Sequence, residues 1–182
     1  MPEEYAQLLE FFQCSRFRSY LELGVGKGGS FLVNSQFIAH GNPEFSTAHC
    51  VDSLQYGQDC DTILSKVSYL RKTIQNVIFF KETTDNFFAN NSRKYDCIFI
   101  DADYSYEGVK RDHENAVKAL SPGGVLVLHD INSVQSCPGV VQLWNEVKRP
   151  NDLEFVASQT CGIGISFAAA AKCSDDPGAG CT

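Results

Sequence analysis

Apolar residues recur along the chain with two spacings, which together predict alternating helices and strands. Apolar side chains three or four residues apart share one face of a helix, as Tyr5, Leu8, Leu9 and Phe12 do. Short runs that are nearly all apolar, such as residues 95–100, are typical of strands covered on both faces. The pattern predicts helices over residues 2–12, 30–39, 61–74, 85–89, 107–120 and 140–147. It predicts strands over residues 19–23, 47–51, 77–80, 95–100, 125–128, 153–157 and 162–167.

The order of these elements predicts an α/β fold built on a mostly parallel sheet. Strands that alternate with helices pair in parallel, and the helices cover both faces to give three layers. The last two strands have no helix between them, so we expect an antiparallel C-terminal hairpin at one edge of a seven-stranded sheet. Residues 1–167 are predicted to form one domain, and residues 168–182, rich in alanine, glycine and polar residues, a disordered tail.

The net charge and apolar content of the chain narrow its partners. The 182 residues carry a formal net charge of -7, and the basic residues occur in short pairs flanked by acids. Such a surface repels phosphate backbones, so nucleic acid is not an expected partner. No apolar run approaches the roughly 20 residues of a membrane span, and the N-terminal MPEE lacks the layout of a signal peptide. The sequence predicts a cytoplasmic protein with no membrane partner.

Eight cysteines are spread along the chain, at positions 14, 50, 60, 97, 137, 161, 173 and 181. They include no Cys-x-x-Cys pair, and zinc ribbons need ligand pairs that are closely spaced. Cys97 lies inside an apolar strand and Cys161 opens another, where a free thiol packs as a small hydrophobic group. We therefore expect reduced cysteines.

A glycine-rich stretch joins the first predicted strand to the next helix. Gly24, Gly26 and Gly29 match the G-x-G-x-x-G pattern, in which glycine lets the backbone turn tightly and approach a ligand closely. The same geometry serves NAD and S-adenosylmethionine. The glycines by themselves predict a nucleotide-containing cofactor without distinguishing the two.

Two carboxylates near this loop bear on that choice. Glu22 precedes the first glycine by two residues, where it can accept the free ammonium of S-adenosylmethionine but would repel the pyrophosphate of NAD. Asp52 ends the second strand, where a carboxylate can bind both ribose hydroxyls of either cofactor. The chain also lacks room for the separate substrate domain of an NAD enzyme. Glu22 and the chain length therefore favour S-adenosylmethionine.

Acidic residues also follow the fourth and fifth strands. The fourth strand runs into residues 101–107 (DADYSYE), and the fifth into residues 128–132 (LHDIN). Ligands of open α/β sheets bind beyond the carboxyl ends of the strands. We therefore expect Asp101 and Asp130 to lie beside the loops that carry Glu22 and Asp52.

Taken in order, these motifs resemble the class I S-adenosylmethionine-dependent methyltransferases of the type 24 family, close to macrocin and mycinamicin sugar O-methyltransferases and cephalosporin-hydroxylase-like proteins. The matching stretches are residues 21–26 (LELGVG), 51–53 (VDS), 100–107 (IDADYSYE), 122–131 (PGGVLVLHDI), 138–140 (PGV) and 162–164 (GIG). They span roughly residues 17–167. The resemblance implies a Rossmann-like sandwich that binds S-adenosylmethionine.

The predicted cofactor site combines this resemblance with the local chemistry. Its residues are Glu22, Gly24, Gly26, Gly28, Asp52, Ser53, Glu82, Thr83 and Asp101. Glu22 is predicted to bind the ammonium and Asp52 the ribose. By resemblance, Glu82 or Thr83 contacts the exocyclic amine of adenine.

The resemblance also implies residues on the acceptor side. Metal-dependent members hold Mg²⁺ with acids after these two strands, which implicates Asp101 and Asp130, with His129 where an acid occurs. They place a histidine base three positions after the first aspartate, and Tyr104 stands there in this chain. The predicted catalytic residues are Asp101, His129 and Tyr104. His129 is the better base of the last two, since tyrosine has an ordinary pKa of about 10.

The sequence thus predicts an S-adenosylmethionine-dependent methyltransferase that methylates an oxygen of a small molecule, either a sugar or another hydroxylated acceptor. Two alternatives stay open. One is a catalytically silent cofactor-binding or scaffold protein of the same fold, motivated by Tyr104 and the short chain. The other is an NAD(P)-dependent oxidoreductase. A homo-oligomer is left open.

Overall fold

The computed structural model describes residues 3–55, 57–157 and 161–169, which form alternating helices and strands. The helices are α1 (Glu3–Cys14), α2 (Gly29–Gly41), α3 (Cys60–Leu70), α4 (Thr84–Asn90), α5 (Tyr106–Ala119) and α6 (Pro138–Val147). The strands are β1 (Ser19–Leu23), β2 (Thr47–Val51), β3 (Asn76–Phe80), β4 (Tyr95–Ile100), β5 (Leu120–His129), β6 (Leu153–Phe155) and β7 (Ile163–Phe167).

The strands form one 7-stranded sheet in the order β3-β2-β1-β4-β5-β7-β6. Strands β1 to β5 pair in parallel, whereas β7 pairs antiparallel with both β5 and β6. The predicted α/β fold and the C-terminal hairpin at one edge are confirmed. The chain crosses from one side of β1 to the other between β3 and β4. Strands β1 and β4 therefore flank the switch point where ligands of such sheets bind.

Alternate residues of each strand face opposite helical layers, and each face has its own core. Tyr20 of β1 packs with Phe31 and other residues of α1, α2 and α3. The next residue, Leu21, belongs to a second cluster with Trp144 and other residues of α4, α5 and α6. Because the central strands are buried on both faces, their sequences are nearly continuous apolar runs.

Polar side chains fix the starts of three helices near the carboxyl edge of the sheet. Asp59 accepts hydrogen bonds from the amides of Asp61 and Thr62 at 3.1 and 3.2 Å, which begins α3. Thr83 and Ser105 accept from amides in the first turns of α4 and α5 at 3.3 and 3.1 Å. Each bond satisfies an amide that the helix itself cannot pair.

The largest differences from the predicted boundaries are at the end of α3 and at the start of β5. Helix α3 ends at Leu70 rather than at residue 74, because the chain turns there while Ile74 still enters the core at 1% exposure. Strand β5 begins at Leu120 rather than at residue 125. Leu120 already pairs with Tyr95, and the register then shifts before Val125 pairs with Cys97, so the intervening Pro-Gly-Gly segment is accommodated as an irregularity of the strand.

The C-terminal end of the described chain stays attached to the sheet. The amide of Ala168 donates to the carbonyl of Gly124 at 2.8 Å, and the carbonyl of Ala169 accepts from Gly123 at 3.4 Å. The rest of the predicted tail, residues 170–182, lies outside the described residues. Within the described ranges, no helix is both long enough and apolar enough to cross a membrane.

Candidate active site

A cavity of about 310 Å³ opens at the carboxyl ends of β1, β2 and β4. Small-molecule and cofactor sites typically enclose about 300–1,000 Å³. The predicted cofactor residues that line the cavity are Gly24, Gly26, Asp52, Ser53, Glu82, Thr83 and Asp101. The fold thus brings most of the predicted set to one site, at the switch point of the sheet.

The glycine loop lies against the end of β4. Gly24 has φ +77°, and a Cβ at that position would lie 2.2 Å from the backbone oxygen of Asp101. Gly26 has φ +50° and lines the cavity with open space around its Cα. Gly28 does not line the cavity. It precedes α2 and faces α3, where a Cβ would lie 3.2 Å from the Lys66 side chain.

Asp52 holds the glycine loop in place. Its Oδ2 accepts hydrogen bonds from the amides of Val25 and Gly26 at 2.9 and 3.1 Å, and its Oδ1 accepts from Leu54 at 2.7 Å. A carboxylate has about four acceptor sites, so the three amides leave about one for a further donor such as a ribose hydroxyl. Asp52 therefore orders the loop and keeps acceptor capacity at the cavity that it lines.

Glu22 lies beneath the loop and is fully buried. Its Oε2 accepts from the Tyr20 hydroxyl and its Oε1 from the Ser30 hydroxyl, both at 2.5 Å. Burial raises the pKa of Glu22 to about 7, and the charge of Asp101 adds to this, although the hydrogen bonds partly oppose it. Glu22 does not line the cavity itself, whereas its partner Ser30 does.

A chain of hydrogen bonds connects Glu22 to the first helix. The Asn34 amide donates to the Tyr20 hydroxyl at 2.9 Å, and the Tyr5 hydroxyl donates to Asn34 Oδ1 at 2.8 Å. Tyr20 and Asn34 are both fully buried. The carboxylate under the cofactor loop is thus joined, side chain by side chain, to Tyr5 on α1.

On the acceptor side of the cavity, the imidazole of His129 lies between two carboxylates. Its Nδ1 is 3.3 Å from Asp101 Oδ1 and 3.3 Å from Asp130 Oδ2, and its Nε2 is 3.3 Å from Cys161 Sγ. Burial alone would lower the pKa of His129, but the two flanking carboxylates raise it well above its ordinary value. The two carboxylates therefore favour the protonated form of the His129 imidazole.

The two acids differ in their surroundings. Burial raises the pKa of Asp101 despite the opposing effect of His129. Asp130 has its pKa lowered, since contacts with His129, Ser133 and Cys137 outweigh its burial. Asp130 also has a left-handed φ of +63°, and its Oδ1 accepts from the Ser133 hydroxyl at 2.7 Å. Asp130 is held as a fixed carboxylate, whereas Asp101 holds a proton more readily.

Comparison with known proteins identifies the family of this chain. The family described as "Methyltransferase domain", type 24, matches residues 21–131, which include the glycine loop, Asp52, Asp101 and His129. The chain belongs to this methyltransferase family. An uncharacterized protein, y4gI, of Sinorhizobium fredii is 28% identical over 163 residues, which are 84% of this chain. The chain spans only 17% of the length of that relative.

Solved structures show the same fold at low sequence identity. The O-methyltransferase TomG of Streptomyces achromogenes, in complex with SAM, has a TM-score of 0.69 at 14% identity and covers 93% of this chain and 82% of its own. A Bacillus cereus O-methyltransferase in complex with SAH has a TM-score of 0.61 at 18% identity, and the match covers 91% of this chain and 79% of that protein. The N-methyltransferase NodS of Bradyrhizobium japonicum has a TM-score of 0.62 at 14% identity, and the match covers 91% of this chain and 95% of that protein.

The acidic cluster of this methyltransferase domain does not fit a magnesium ion. Mg²⁺ takes oxygen ligands at about 2.0–2.1 Å in octahedral geometry. Here the imidazole Nδ1 of His129 lies 3.3 Å from an oxygen of Asp101 and 3.3 Å from an oxygen of Asp130, in the space between the two acids. A ring nitrogen at that place is not part of the oxygen ligand set that Mg²⁺ prefers, and no step below depends on a metal.

The surroundings of His129 and Tyr104 also change their predicted roles. The protonated imidazole has no free base nitrogen, so the two flanking acids disfavour His129 as the base. Tyr104 is 44% exposed, and its hydroxyl donates to Asp101 Oδ1 at 3.4 Å. Burial and the charge of Asp101 raise the pKa of Tyr104, which disfavours the phenolate that a base requires. Both residues are placed to act on Asp101.

The cavity also contains residues that sequence reasoning missed. They include Ser30, Gln55, Gln58, Thr84, Arg111 and Asp112. Ser30 directly follows the loop glycines, which is a signal that the sequence did offer. Asp112 is 1% exposed, and neither of its oxygens has a well-formed hydrogen bond among the described residues. Burial raises the pKa of Asp112 to about 6.

Proposed function

We propose that this domain methylates a hydroxyl oxygen of a small molecule with S-adenosylmethionine as donor, and that Asp101 is the base. One observation carries the proposal: the carboxylate of Asp101 lies where the cofactor cavity meets the buried cluster around His129. The family match supports a methyltransferase, and the O-methyltransferases of similar fold support an oxygen acceptor.

The chain's residues fit the chemical groups of the cofactor. In this proposal Asp52 binds the ribose, and Glu82 and Thr83, which line the same cavity, bind the adenine. Glu22, which lies beneath the loop and accepts from Ser30, provides the negative charge opposite the ammonium. When bound, S-adenosylmethionine would supply a methyl group on a positively charged sulfonium: the C–S bond breaks as the C–O bond forms, and the sulfur departs as a neutral thioether. The protein then contributes alignment and removal of the acceptor proton.

The proton of the acceptor hydroxyl passes to Oδ of Asp101. Burial makes this carboxylate more basic than an exposed one, while the nearby imidazolium keeps it ionised in part of the population. Asp130 holds His129 from the other side, and Tyr104 donates to the same carboxylate from the surface. His129 and Tyr104 are therefore positioning residues in this mechanism.

Titration calorimetry with S-adenosylhomocysteine tests the cofactor half of the proposal. We expect binding to the wild type and a loss of at least about tenfold in affinity for Asp52→Ala, since charge-assisted hydrogen bonds contribute about 1.5–3 kcal/mol. Asp59→Ala, which removes an exposed helix cap outside the cavity, is the matched control and should leave the affinity unchanged. Absence of binding by the wild type would contradict the proposal.

The catalytic half separates an enzyme from a silent scaffold of the same fold. We expect Asp101→Asn to bind S-adenosylhomocysteine normally but to lower the rate of methyl transfer about 10²–10⁴-fold, the usual contribution of a general base. Equal rates for Asp101→Asn and wild type would remove Asp101 from the mechanism. For the oxidoreductase alternative, NAD should fail to raise the melting temperature while S-adenosylhomocysteine raises it.

A further inference from the structure

A second cavity, of about 370 Å³, adjoins the cofactor cavity at Asp101. It lies between α1, α2 and the ends of β4 and β5, and Tyr5, Val33, Phe99 and His129 form its walls. Asp101 and Ser30 line both cavities. A molecule in the second cavity would therefore meet the cofactor at the carboxylate that takes the proton.

The walls of this second cavity are apolar, and its polar groups are gathered at one end. The ring of Tyr5, the side chain of Val33 and the ring of Phe99 face it, and Phe99 lies 5.9 Å from the His129 ring, centroid to centroid. The Tyr5 hydroxyl is already engaged with Asn34 at 2.8 Å. The Ser30 hydroxyl is engaged with Glu22 at 2.5 Å. Because both hydroxyls already donate their protons, they can only accept from a ligand, and Asp101 is the carboxyl group that lines this cavity and can take up a proton.

From this arrangement we infer that the second cavity binds the methyl acceptor, and that the acceptor is a neutral hydroxylated aromatic molecule rather than a sugar. The inference rests on the proposed function and names its substrate class. An aromatic ring fits between Tyr5, Val33 and Phe99 and directs one hydroxyl to Asp101. A sugar would bring several hydroxyls against apolar walls, and each unpaired polar group costs about 1–3 kcal/mol.

Charge and acidity point the same way. Two carboxyl groups, those of Asp101 and Asp130, lie within 3.3 Å of His129 at this end of the site, and a pair of acids disfavours an anionic acceptor such as a phosphorylated sugar. A phenol has a pKa of about 10, as in tyrosine, so a carboxylate removes its proton far more easily than that of an aliphatic alcohol. A buried carboxylate base is therefore suited to a phenolic hydroxyl.

Filling the second cavity tests this inference without touching the cofactor cavity. Val33→Phe adds a ring to the wall on α2, and Gln36→Phe adds the same ring one turn further along the same helix, at an exposed position outside this cavity. The probes are 4-methylphenol, 1,3-dihydroxybenzene and methyl β-glucoside. Binding is followed by saturation-transfer NMR with S-adenosylhomocysteine present, and methyl transfer by mass spectrometry with S-adenosylmethionine.

We expect the two phenols to bind and to be methylated by the wild type and by Gln36→Phe, and both signals to fall at least tenfold in Val33→Phe. The affinity for S-adenosylhomocysteine and the melting temperature should stay unchanged in both variants. The inference would be overturned, with cofactor binding intact, by any of three results: phenol binding that Val33→Phe leaves unchanged, absence of phenol binding, or preference for the glucoside. Failure of the wild type to bind S-adenosylhomocysteine would instead overturn the proposed function.

Discussion

At the scale of single residues, burial determines what the carboxylates of this domain do. Glu22, Asp52, Asp101 and Asp112 all lie in or under one cleft, yet they differ in their partners. Asp52 accepts from three backbone amides, whereas Glu22 depends on two hydroxyls and Asp112 has no well-formed hydrogen bond in the described structure. The sequence indicated Glu22, Asp52 and Asp101 but missed Asp112, and it did not indicate how each acid is solvated.

Glu22 should make cofactor binding depend on pH. Its pKa of about 7 means that it is largely protonated at pH 6, and the cofactor's ammonium favours the ionised form. The affinity for S-adenosylhomocysteine should therefore rise as pH increases towards 7 and then level off, with a proton released on binding at low pH. Calorimetry in buffers of different ionisation enthalpy measures both quantities.

The control for this dependence is Glu22→Gln, which keeps the shape of the side chain and cannot titrate. It should bind more weakly above pH 7 and show a much flatter pH profile. The groups that surround Glu22 or interact with its charge stay in place in this variant; they are Tyr5, Tyr20, Asn34, Ser30, Cys50, Cys97 and Asp101. An affinity of the wild type that is constant between pH 5.5 and 8 would contradict the assignment.

Asp112 should destabilise the domain at neutral pH. Its pKa of about 6 lies above the ordinary value of 3.8, so the folded state binds this proton more tightly and the free energy of unfolding falls as pH rises from about 4 to about 6. Asp112→Asn should raise that free energy at pH 7.5 by up to about 3 kcal/mol, since each pKa unit corresponds to about 1.4 kcal/mol. At pH 4 the wild type and Asp112→Asn should have the same free energy of unfolding.

Urea unfolding at both pH values measures this difference. Glu44→Gln is a suitable comparison, because Glu44 pairs with Arg18 on the surface and its side chain is 62% exposed. Exposed pairs contribute about 0–1 kcal/mol, so this variant should change little. Equal destabilisation by Asp112→Asn at pH 4 and pH 7.5 would show that its charge is not the cause.

At the scale of elements, the sequence predicted some boundaries better than others for a physical reason. Strands β1, β2 and β4 begin and end at the predicted residues, because apolar runs there are bounded by polar residues and turns. The end of α3 was predicted too late, since the apolar period continues from Leu70 to Ile74 across a turn. The start of β5 was predicted too late, since Pro122 and two glycines are not typical of a strand.

Two glycines with nearly the same backbone conformation, one in the glycine loop and one after β2, give a matched pair of variants. Gly24 and Gly57 have nearly the same φ, +77° and +75°, but a Cβ at Gly24 would lie 2.2 Å from Asp101 and one at Gly57 would meet nothing within 4 Å. Gly57→Ala should cost about 1–2 kcal/mol of stability, which is the strain of a left-handed residue. Gly24→Ala should cost clearly more and also abolish binding of S-adenosylhomocysteine.

Urea unfolding and calorimetry on the two variants separate backbone strain from steric contact. If both variants lose the same stability and the same affinity, then left-handed geometry alone explains the glycine at position 24. A larger loss in Gly24→Ala would show that close contact between β1 and β4 shapes the site.

At the scale of the whole molecule, the parallel topology made the cofactor site predictable and left the acceptor site hidden. Parallel strands bring Glu22, Asp52, Asp101 and Asp130 to one edge whatever the details of packing. The second cavity instead depends on where α1 packs, which places Tyr5 beside His129. No local pattern encodes that packing. The pairing of His129 with two acids likewise appears only when β4 and β5 lie side by side.

The thiols provide a prediction for the molecule as a whole. Among the described cysteines, Cys14 is exposed and Cys50 and Cys97 are buried, with pKa values raised by burial. Pulsed alkylation followed by mass spectrometry should label Cys14 within the first pulse. Cys50 and Cys97 should react only at the rate of global unfolding, which urea accelerates and S-adenosylhomocysteine slows. Fast labelling of Cys97 in the native protein would contradict the buried core.

The hydrogen-bond chain from Tyr5 through Asn34 and Tyr20 to Glu22 has one further consequence. Its first residue lines the second cavity and its last lies beneath the cofactor loop, so we expect both ligands to restrict the same four side chains. Ordering them once lowers the entropic cost for whichever ligand arrives second. Donor and acceptor should therefore bind with positive cooperativity, reciprocal in both directions. Tyr5→Phe, which keeps the ring and removes the link, should make the two binding events independent.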